Sequence, residues 1–191
     1  SRAVTLTVLG VAPAVSIVGA SPSVHSYVEF ASMGSFTDPG AGPYSAVVDY
    51  GDGSGAHPLA LNPDGTFNIA RAYAKSGQYL VTVTVTDQTG LVGSDTMIVN
   101  VLGPAPSTFG PVRDAFVTSL YVTLLNRDPE PEGLRFWSSS LAAGARPARV
   151  ALRVWASGEH ADLVARRVVP DVSPRQAHRA AMLAARAAIP T

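Results

Sequence analysis

The sequence predicts two domains, an all-β sandwich followed by a small all-α bundle. In the first half of the chain, apolar and polar residues alternate in short runs that are separated by turn-forming residues. After Gly103 the apolar residues recur every three or four positions, which is the spacing of a helical face. The length of 191 residues is sufficient for two cores of modest size.

The strand prediction rests on a regular alternation. Residues 81–86 place Val81, Val83 and Val85 on one face of a strand and three threonines on the other. Glycine-containing turn signals separate this run from its neighbours, and short strands with frequent turns are typical of a sandwich. The same period of two occurs in three further segments, at residues 4–8, 27–30 and 97–101.

An internal similarity suggests a tandem array. Residues 1–15 resemble residues 94–108 at a constant offset of 93, sharing a Ser, a Val-Leu-Gly and an Ala-Pro. A period close to the size of one sandwich predicts that residues 1–10 are the last strand of an upstream repeat, or a linker. Chance similarity between two β-rich ends is the alternative. Because the chain begins at Ser1, we expect it to be an excerpt of a larger protein.

The second half is predicted to be helical. Residues 104–110 form a proline-rich linker, and prolines stand where first helical turns would begin in residues 111–191. The expected core residues are Leu134, Trp137, Leu141, Val150, Val154 and Trp155. Helices are expected near 111–126, 131–143, 147–157, 159–168 and 174–188.

Composition excludes several classes of protein. Residues 1–103 carry three basic and seven acidic side chains, a net charge of −4. Residues 104–191 carry eleven basic and seven acidic side chains, a net charge of +4. The basic residues alternate with acids, which favours a solvated helical surface, attracted to its acidic neighbour, over a nucleic-acid site. No apolar run reaches the roughly 20 residues that a membrane span needs. The absence of cysteine excludes disulfides and thiolate metal sites.

The first half resembles the PKD domain, a polycystin-type repeat with an immunoglobulin-like sandwich. The resemblance covers residues 11–103, with Arg71 where the family often has His. It implies an extracellular or cell-surface location and a role as a spacer or as a protein or glycan contact module. The residues that carry this resemblance are Val48-Asp49-Tyr50-Gly51-Asp52-Gly53-Ser54, then Tyr73, Gly77, Tyr79 and residues 81–87.

The PKD resemblance also raises the question of calcium. Asp38 and Asp87 occupy positions similar to the acidic ligands of some calcium-binding PKD domains. Calcium takes six to eight oxygen ligands, so two carboxylates would need loop carbonyls and water as well. Calcium is therefore a candidate ligand, while no cofactor is required. The alternative is that both acids cap turns.

The second half resembles the bacterial domain of unknown function numbered 4214. The match runs over about residues 112–169, with Asn126 in place of the usual Gly and Glu130 in place of the usual Asp. It implies occurrence in large exported or surface-associated bacterial proteins. The matching segments are residues 116–121, 124–134, 136–137 and 157–159.

The motifs of catalysis are not met. Ser54 has Asp52 two residues before it, so the Gly-x-Ser-x-Gly turn of a nucleophile is not formed. The glycines around it fit a loose dinucleotide pattern, but His57-Pro58 follows instead of a helix. The four histidines lie far apart in sequence. We therefore predict that the chain is not an enzyme.

The predicted function is a non-enzymatic spacer or adhesion module of a larger exported bacterial protein. Its partners would be a protein or glycan surface and the neighbouring domains of the same parent. The alternative is a glycan-binding accessory region of a secreted enzyme whose catalytic domain lies outside this chain. Tyr27, Tyr44 and Tyr50 are the candidate contact residues, because sugars stack on exposed rings, while Tyr79 is expected to pack in the core or at a corner.

Overall fold

A computed structural model describes residues 10–19, 21–40 and 42–168. The chain divides into two compact units between Leu102 and Gly103. The predicted strand at 4–8, the predicted helix at 174–188 and residues 1–9 of the first copy of the proposed repeat lie outside the described residues. Each unit is considered by itself.

The first unit is a sandwich of two sheets, as predicted. A three-stranded sheet has the order β1-β3-β6, and a five-stranded sheet has the order β2-β8-β7-β4-β5. All pairs are antiparallel except β2 with β8, which is parallel. The strands are β1 Ala14–Ile17, β2 Ser23–His25, β3 Glu29–Thr37, β4 Ser45–Asp49, β5 Ala56–Pro58, β6 Thr66–Ala72, β7 Gly77–Thr86 and β8 Val92–Leu102.

The core lies between the sheets and contains the residues that the alternation selects. Val81, Val83 and Val85 on β7 are completely buried. Phe30 on β3 and Phe67 on β6 approach them from the opposite sheet and are also buried. The period of two in the sequence therefore identified the inward face correctly.

One strand begins later than the alternation predicts. Tyr27 has a left-handed backbone with φ of 64°, so it belongs to a turn, and β3 begins at Glu29. The backbone N–H of Tyr27 donates to the carbonyl oxygen of Tyr73 at 2.9 Å. This non-local hydrogen bond holds the chain in a conformation that a β-alternating segment does not normally adopt.

The second unit contains four helices among its described residues. Pro111, Pro131 and Pro147 begin the first three, where the missing proline N–H costs nothing. The predicted helix at 111–126 ends in one π-helical turn and then Asn126, whose left-handed φ of 55° stops it. The helices are α1 Pro111–Leu120 with its π turn Tyr121–Leu125, α2 Pro131–Ala142, α3 Pro147–Trp155 and α4 Gly158–Val168. None of these helices is both long and apolar enough to cross a membrane.

The helical core departs from prediction at one residue. Val150 and Val154 on α3 are buried as expected, but Trp155 is 42% exposed. Val150 and Val154 are four positions apart and share the inward face, so the next residue points about 100° away from it. The core residues are Val117, Tyr121, Leu125, Leu134 and Val154, with Trp137 and Leu141 packed against them.

The proline-rich segment before α1 is fastened to that helix. Ser107 donates from its backbone N–H and its hydroxyl to Asp114, at 2.7 and 2.6 Å. Ser138 on α2 donates to the same buried carboxylate at 2.7 Å. Desolvation raises the pKa of Asp114, but these hydrogen bonds outweigh it and lower the pKa overall. One ionised acid therefore joins the segment, α1 and α2.

Candidate functional site

The three candidate tyrosines lie in different environments. Tyr44 is half-buried and packs edge-on against Phe36, with ring centroids 4.8 Å apart. Tyr27 is half-buried in its turn. Tyr50 is only 9% exposed and belongs to the core, so the expectation that it is an exposed ring is wrong. The Arg71 guanidinium lies 5.2 Å from the Tyr50 ring centroid and covers it.

Tyr44 lies within electrostatic reach of both predicted acidic residues. Desolvation, and then the negative charges of Asp38 and Asp87, raise the pKa of the Tyr44 hydroxyl. Both carboxylates therefore lie close enough to the same ring to act on it electrostatically, although they are 49 positions apart in sequence. We define Asp38, Tyr44 and Asp87 as the acidic-tyrosine site.

An open groove adjoins this site. It has a volume of about 400 Å³ and combines an aromatic ring with polar side chains, as ligand grooves commonly do. The Tyr44 hydroxyl donates to the carbonyl oxygen of Gly40 at 2.8 Å, which fixes the ring at the groove. The residues that line it are Phe36, Thr37, Asp38, Tyr44, Leu61, Asn62, Pro63 and Gly65.

The two carboxylates are used differently. Asp87 Oδ1 accepts from the Thr89 N–H and hydroxyl and from the Leu91 N–H, all at 2.8 to 2.9 Å. Asp38 Oδ1 accepts from the Gly40 N–H at 2.6 Å, but Asp38 Oδ2 is buried and has no hydrogen-bond partner among the described residues. Both acids therefore do cap turns, and one carboxylate oxygen is left for another donor or for a cation.

This donor set meets part of what calcium requires. The unpartnered Asp38 oxygen suits a hard cation, and carboxylates are its preferred ligands. Within the described residues, however, no three or more His, Asp or Glu side chains cluster as metal ligands. A calcium ion here would depend on backbone carbonyls and water for most of its ligands, which is typical of weak binding.

The turn after β4 places Ser54 beside an acid and a histidine, but not in catalytic geometry. The Ser54 hydroxyl donates to Asp52 Oδ1 at 2.5 Å and lies 2.8 Å from His57 Nε2. Because the Ser54 proton points to an ionised carboxylate, His57 is not placed to remove it. Asp52 in turn is bound by Arg71 and does not orient His57. The Asp49 carboxylate accepts from a turn N–H, as a turn cap does.

Arg71 forms a contact that sequence reasoning missed. Its Nε donates to Asp52 Oδ2 at 2.9 Å, and its Nη2 bonds the same oxygen, while the guanidinium covers Tyr50. We call Arg71, Asp52 and Tyr50 the arginine clasp. In the sequence Arg71 stands out only as a departure from the family pattern, because its partner Asp52 is 19 residues away and gives no local signal.

In the helical unit, the charged residues of the family motif make contacts within the domain. Arg127 pairs with Glu130 and makes a two-bond contact with Glu159, whose oxygens lie 2.5 and 2.7 Å from Nε and Nη2. Its guanidinium also lies 5.0 Å from the Tyr121 ring centroid. Asp128 in the same loop is almost completely buried. These residues fasten the loop to the first turn of α4, which is a structural role.

Comparison with known families agrees with both halves of the chain. Residues 10–101 match the family model of the PKD domain, and residues 106–164 match that of the domain of unknown function DUF4214. The PKD fold is typically that of a non-catalytic module, found in extracellular or secreted proteins. No curated protein is significantly similar to the chain.

Solved structures similar to the chain include several PKD domains. The PKD domain of an M14-like peptidase from a Thermoplasmatales archaeon is 17% identical, and the match covers 49% of this chain and 94% of that one, with a TM-score of 0.39. The PKD1 domain of Vibrio anguillarum Epp is 21% identical, covering 50% and 100%, with a TM-score of 0.36. The human SorCS2 PKD domain is 22% identical, covering 56% and 88%, with a TM-score of 0.37.

Proposed function

We propose that this chain, a PKD domain followed by a DUF4214 domain, is a non-catalytic spacer and adhesion module of a larger exported bacterial protein. Its place would be outside the cell or on the cell surface. The observation that carries the proposal is the groove beside the acidic-tyrosine site. It offers a ring for stacking and polar groups for sugar hydroxyls, which is the chemistry of glycan contact.

The alternative role, an accessory region that tethers a secreted enzyme to its glycan substrate, uses the same groove. It differs only in what the rest of the parent protein does. Both roles predict glycan binding without turnover by this chain. A spacer that contacts only protein would leave the groove without affinity for sugars.

A glycan array tests the glycan role directly. We expect the chain to bind a subset of glycans, and Thr37→Glu to abolish that binding by placing a charge in the groove. Thr37 is exposed, so this change spares the core. Leu80→Ala, an exposed position on the five-stranded sheet, is the control and should bind normally. No signal across the array would reject the glycan role and leave only the spacer role.

We also propose that Asp38 and Asp87 hold one calcium ion weakly, with affinity on the order of 0.1 to 1 mM. The support is the pair of carboxylates near Tyr44 and the unpartnered Asp38 oxygen. Calorimetric titration with calcium should give heat for the wild type and none for Asp87→Ala. Asp52→Asn removes another turn-capping carboxylate and should still bind. The absence of heat in the wild type would refute the site.

A further inference from the structure

A second cleft lies within the helical domain, between α2 and α3. Its volume is about 160 Å³. Phe136, Trp137 and Ser140 of α2 form one side, and Arg149 and Arg153 of α3 form the other. None of the residues that line it is acidic. The cleft therefore combines rings with positive charge.

The aromatic side of the cleft is exposed but fixed. Phe136 is 57% exposed and packs edge-on against Trp137, with centroids 4.8 Å apart and an interplanar angle of 77°. Trp137 packs on the domain core, and its indole N–H donates to the Tyr121 hydroxyl. A ring held this way presents a flat apolar surface without loss of rotational freedom on binding.

The basic side of the cleft lacks a partner. Arg149 and Arg153 are exposed, and neither forms an ion pair with any residue that the structure describes. They stand four positions apart on α3, where like charges repel each other. A bound anion would relieve this repulsion, because the planar guanidinium matches a carboxylate with two parallel hydrogen bonds.

The remaining polar group suits a hydroxylated ligand. The Ser140 hydroxyl donates to the carbonyl oxygen of Phe136 at 2.9 Å, so its oxygen can still accept a hydrogen bond. The cleft thus offers an acceptor, a ring surface and a double positive charge within the space of one ring-sized group.

We propose that this cleft binds a carboxylated sugar, a uronate unit of an acidic polysaccharide. The carboxylate would lie between Arg149 and Arg153, the C–H face of the sugar ring against Phe136, and a sugar hydroxyl would donate to Ser140. An acidic peptide matches the charge, but its carboxylates are on flexible side chains that carry no ring face. The site is separate from the groove beside the acidic-tyrosine site and does not depend on the function proposed for that groove.

Calorimetric titration of the full chain with a short oligogalacturonate tests the proposal. We expect saturable binding that weakens as salt is raised, since the contact is exposed and ionic. Arg149→Gln with Arg153→Gln should weaken binding by about ten- to a hundredfold. Phe136→Ala should also weaken it. All three side chains are exposed, so the double arginine variant should keep its midpoint of thermal unfolding, and Phe136→Ala should lose only the edge contact with Trp137.

Two comparisons decide the identity of the ligand. The methyl ester of the same oligosaccharide keeps the ring and removes the charge, so it should bind at least about tenfold more weakly. Arg135→Gln removes an exposed arginine of α2 that does not line the cleft and should leave binding intact. Polyglutamate or single-stranded DNA that binds as tightly as the uronate would overturn the proposal. The proposal would also be overturned if Arg135→Gln lost as much affinity as the double arginine variant, or if the uronate did not bind at all. Thr37→Glu tests the groove beside Tyr44 independently.

Discussion

The arginine clasp gives a prediction with a calculable size. The Asp52 carboxylate is the acceptor in this clasp, and it accepts hydrogen bonds from the Ser54 N–H, the Ser54 hydroxyl and the Arg71 guanidinium. Desolvation raises the pKa of Asp52, but the hydrogen bonds from Ser54 and Arg71 and the charge of Arg71 outweigh it, and the pKa falls from 3.8 to about 2. The change to make is Asp52→Asn, which keeps the shape and removes the charge.

The pKa difference converts to free energy. At about 1.4 kcal/mol for each pH unit, the fall from 3.8 to about 2 corresponds to at most ~2.5 kcal/mol. The Asp52 and Arg71 side chains are 17% and 33% exposed, so solvent screening reduces this to about 1 kcal/mol. Because the pKa is lowered in the folded state, this stabilisation is present above pH 3.8 and is lost as the pH falls to about 2.

Urea unfolding followed by circular dichroism measures the effect. Asp52→Asn should lower the free energy of unfolding of the sandwich by about 1 kcal/mol more at pH 7 than at pH 2. Both tryptophans, Trp137 and Trp155, are in the helical unit, so their fluorescence reports that unit separately and should not change.

The same series contains its own control. Combining Asp52→Asn with Arg71→Gln isolates the coupling between the two side chains. If the loss on Asp52→Asn is the same at pH 7 and pH 2, or the coupling is zero at pH 7, the ionic part of the clasp does not stabilise the fold.

Three further substitutions test the packing of the two units. Gly93→Ala places a Cβ 1.8 Å from the Pro13 carbonyl oxygen, so it should cost the sandwich about 2 kcal/mol or more, seen as an earlier transition in circular dichroism. Asp114→Ala removes the acceptor of three hydrogen bonds, two donated by Ser107 and one by Ser138. It should lower the free energy of unfolding of the helical unit by about 2–3 kcal/mol, measured by tryptophan fluorescence. Asn126→Val forces a β-branched residue to a φ of 55° and should cost about 1–3 kcal/mol by the same measurement, whereas an unchanged midpoint would mean the loop tolerates another conformation.

The sequence was most informative where a physical period applies along one element. The alternation of β7 identified Val81, Val83 and Val85 as core residues, and the prolines located three helix starts. Both signals are local, so they need no knowledge of the partners across the core.

The sequence was least informative where the outcome depends on a distant partner. Tyr50 was expected to be exposed and Trp155 to be buried, and the structure shows the opposite. Arg71 covers the Tyr50 ring, and the direction of α3 turns Trp155 away from the core. Asp38 and Asp87 were paired in the sequence only through family resemblance, and their electrostatic effect on Tyr44 had no signal in the sequence. Neither the arginine clasp nor the cleft beside Phe136 has a signature at short sequence separation.

The function proposed for this chain is to contact a ligand through the groove beside Tyr44 without transforming it. The most direct measurement is an NMR titration of the labelled chain with a glycan that it binds on the array, with analysis of the recovered sugar. We predict that the largest amide shifts occur at Thr37, Tyr44 and Asn62, and that the glycan is recovered unchanged. Shifts confined to other parts of the sandwich, or a cleaved glycan, would contradict the account.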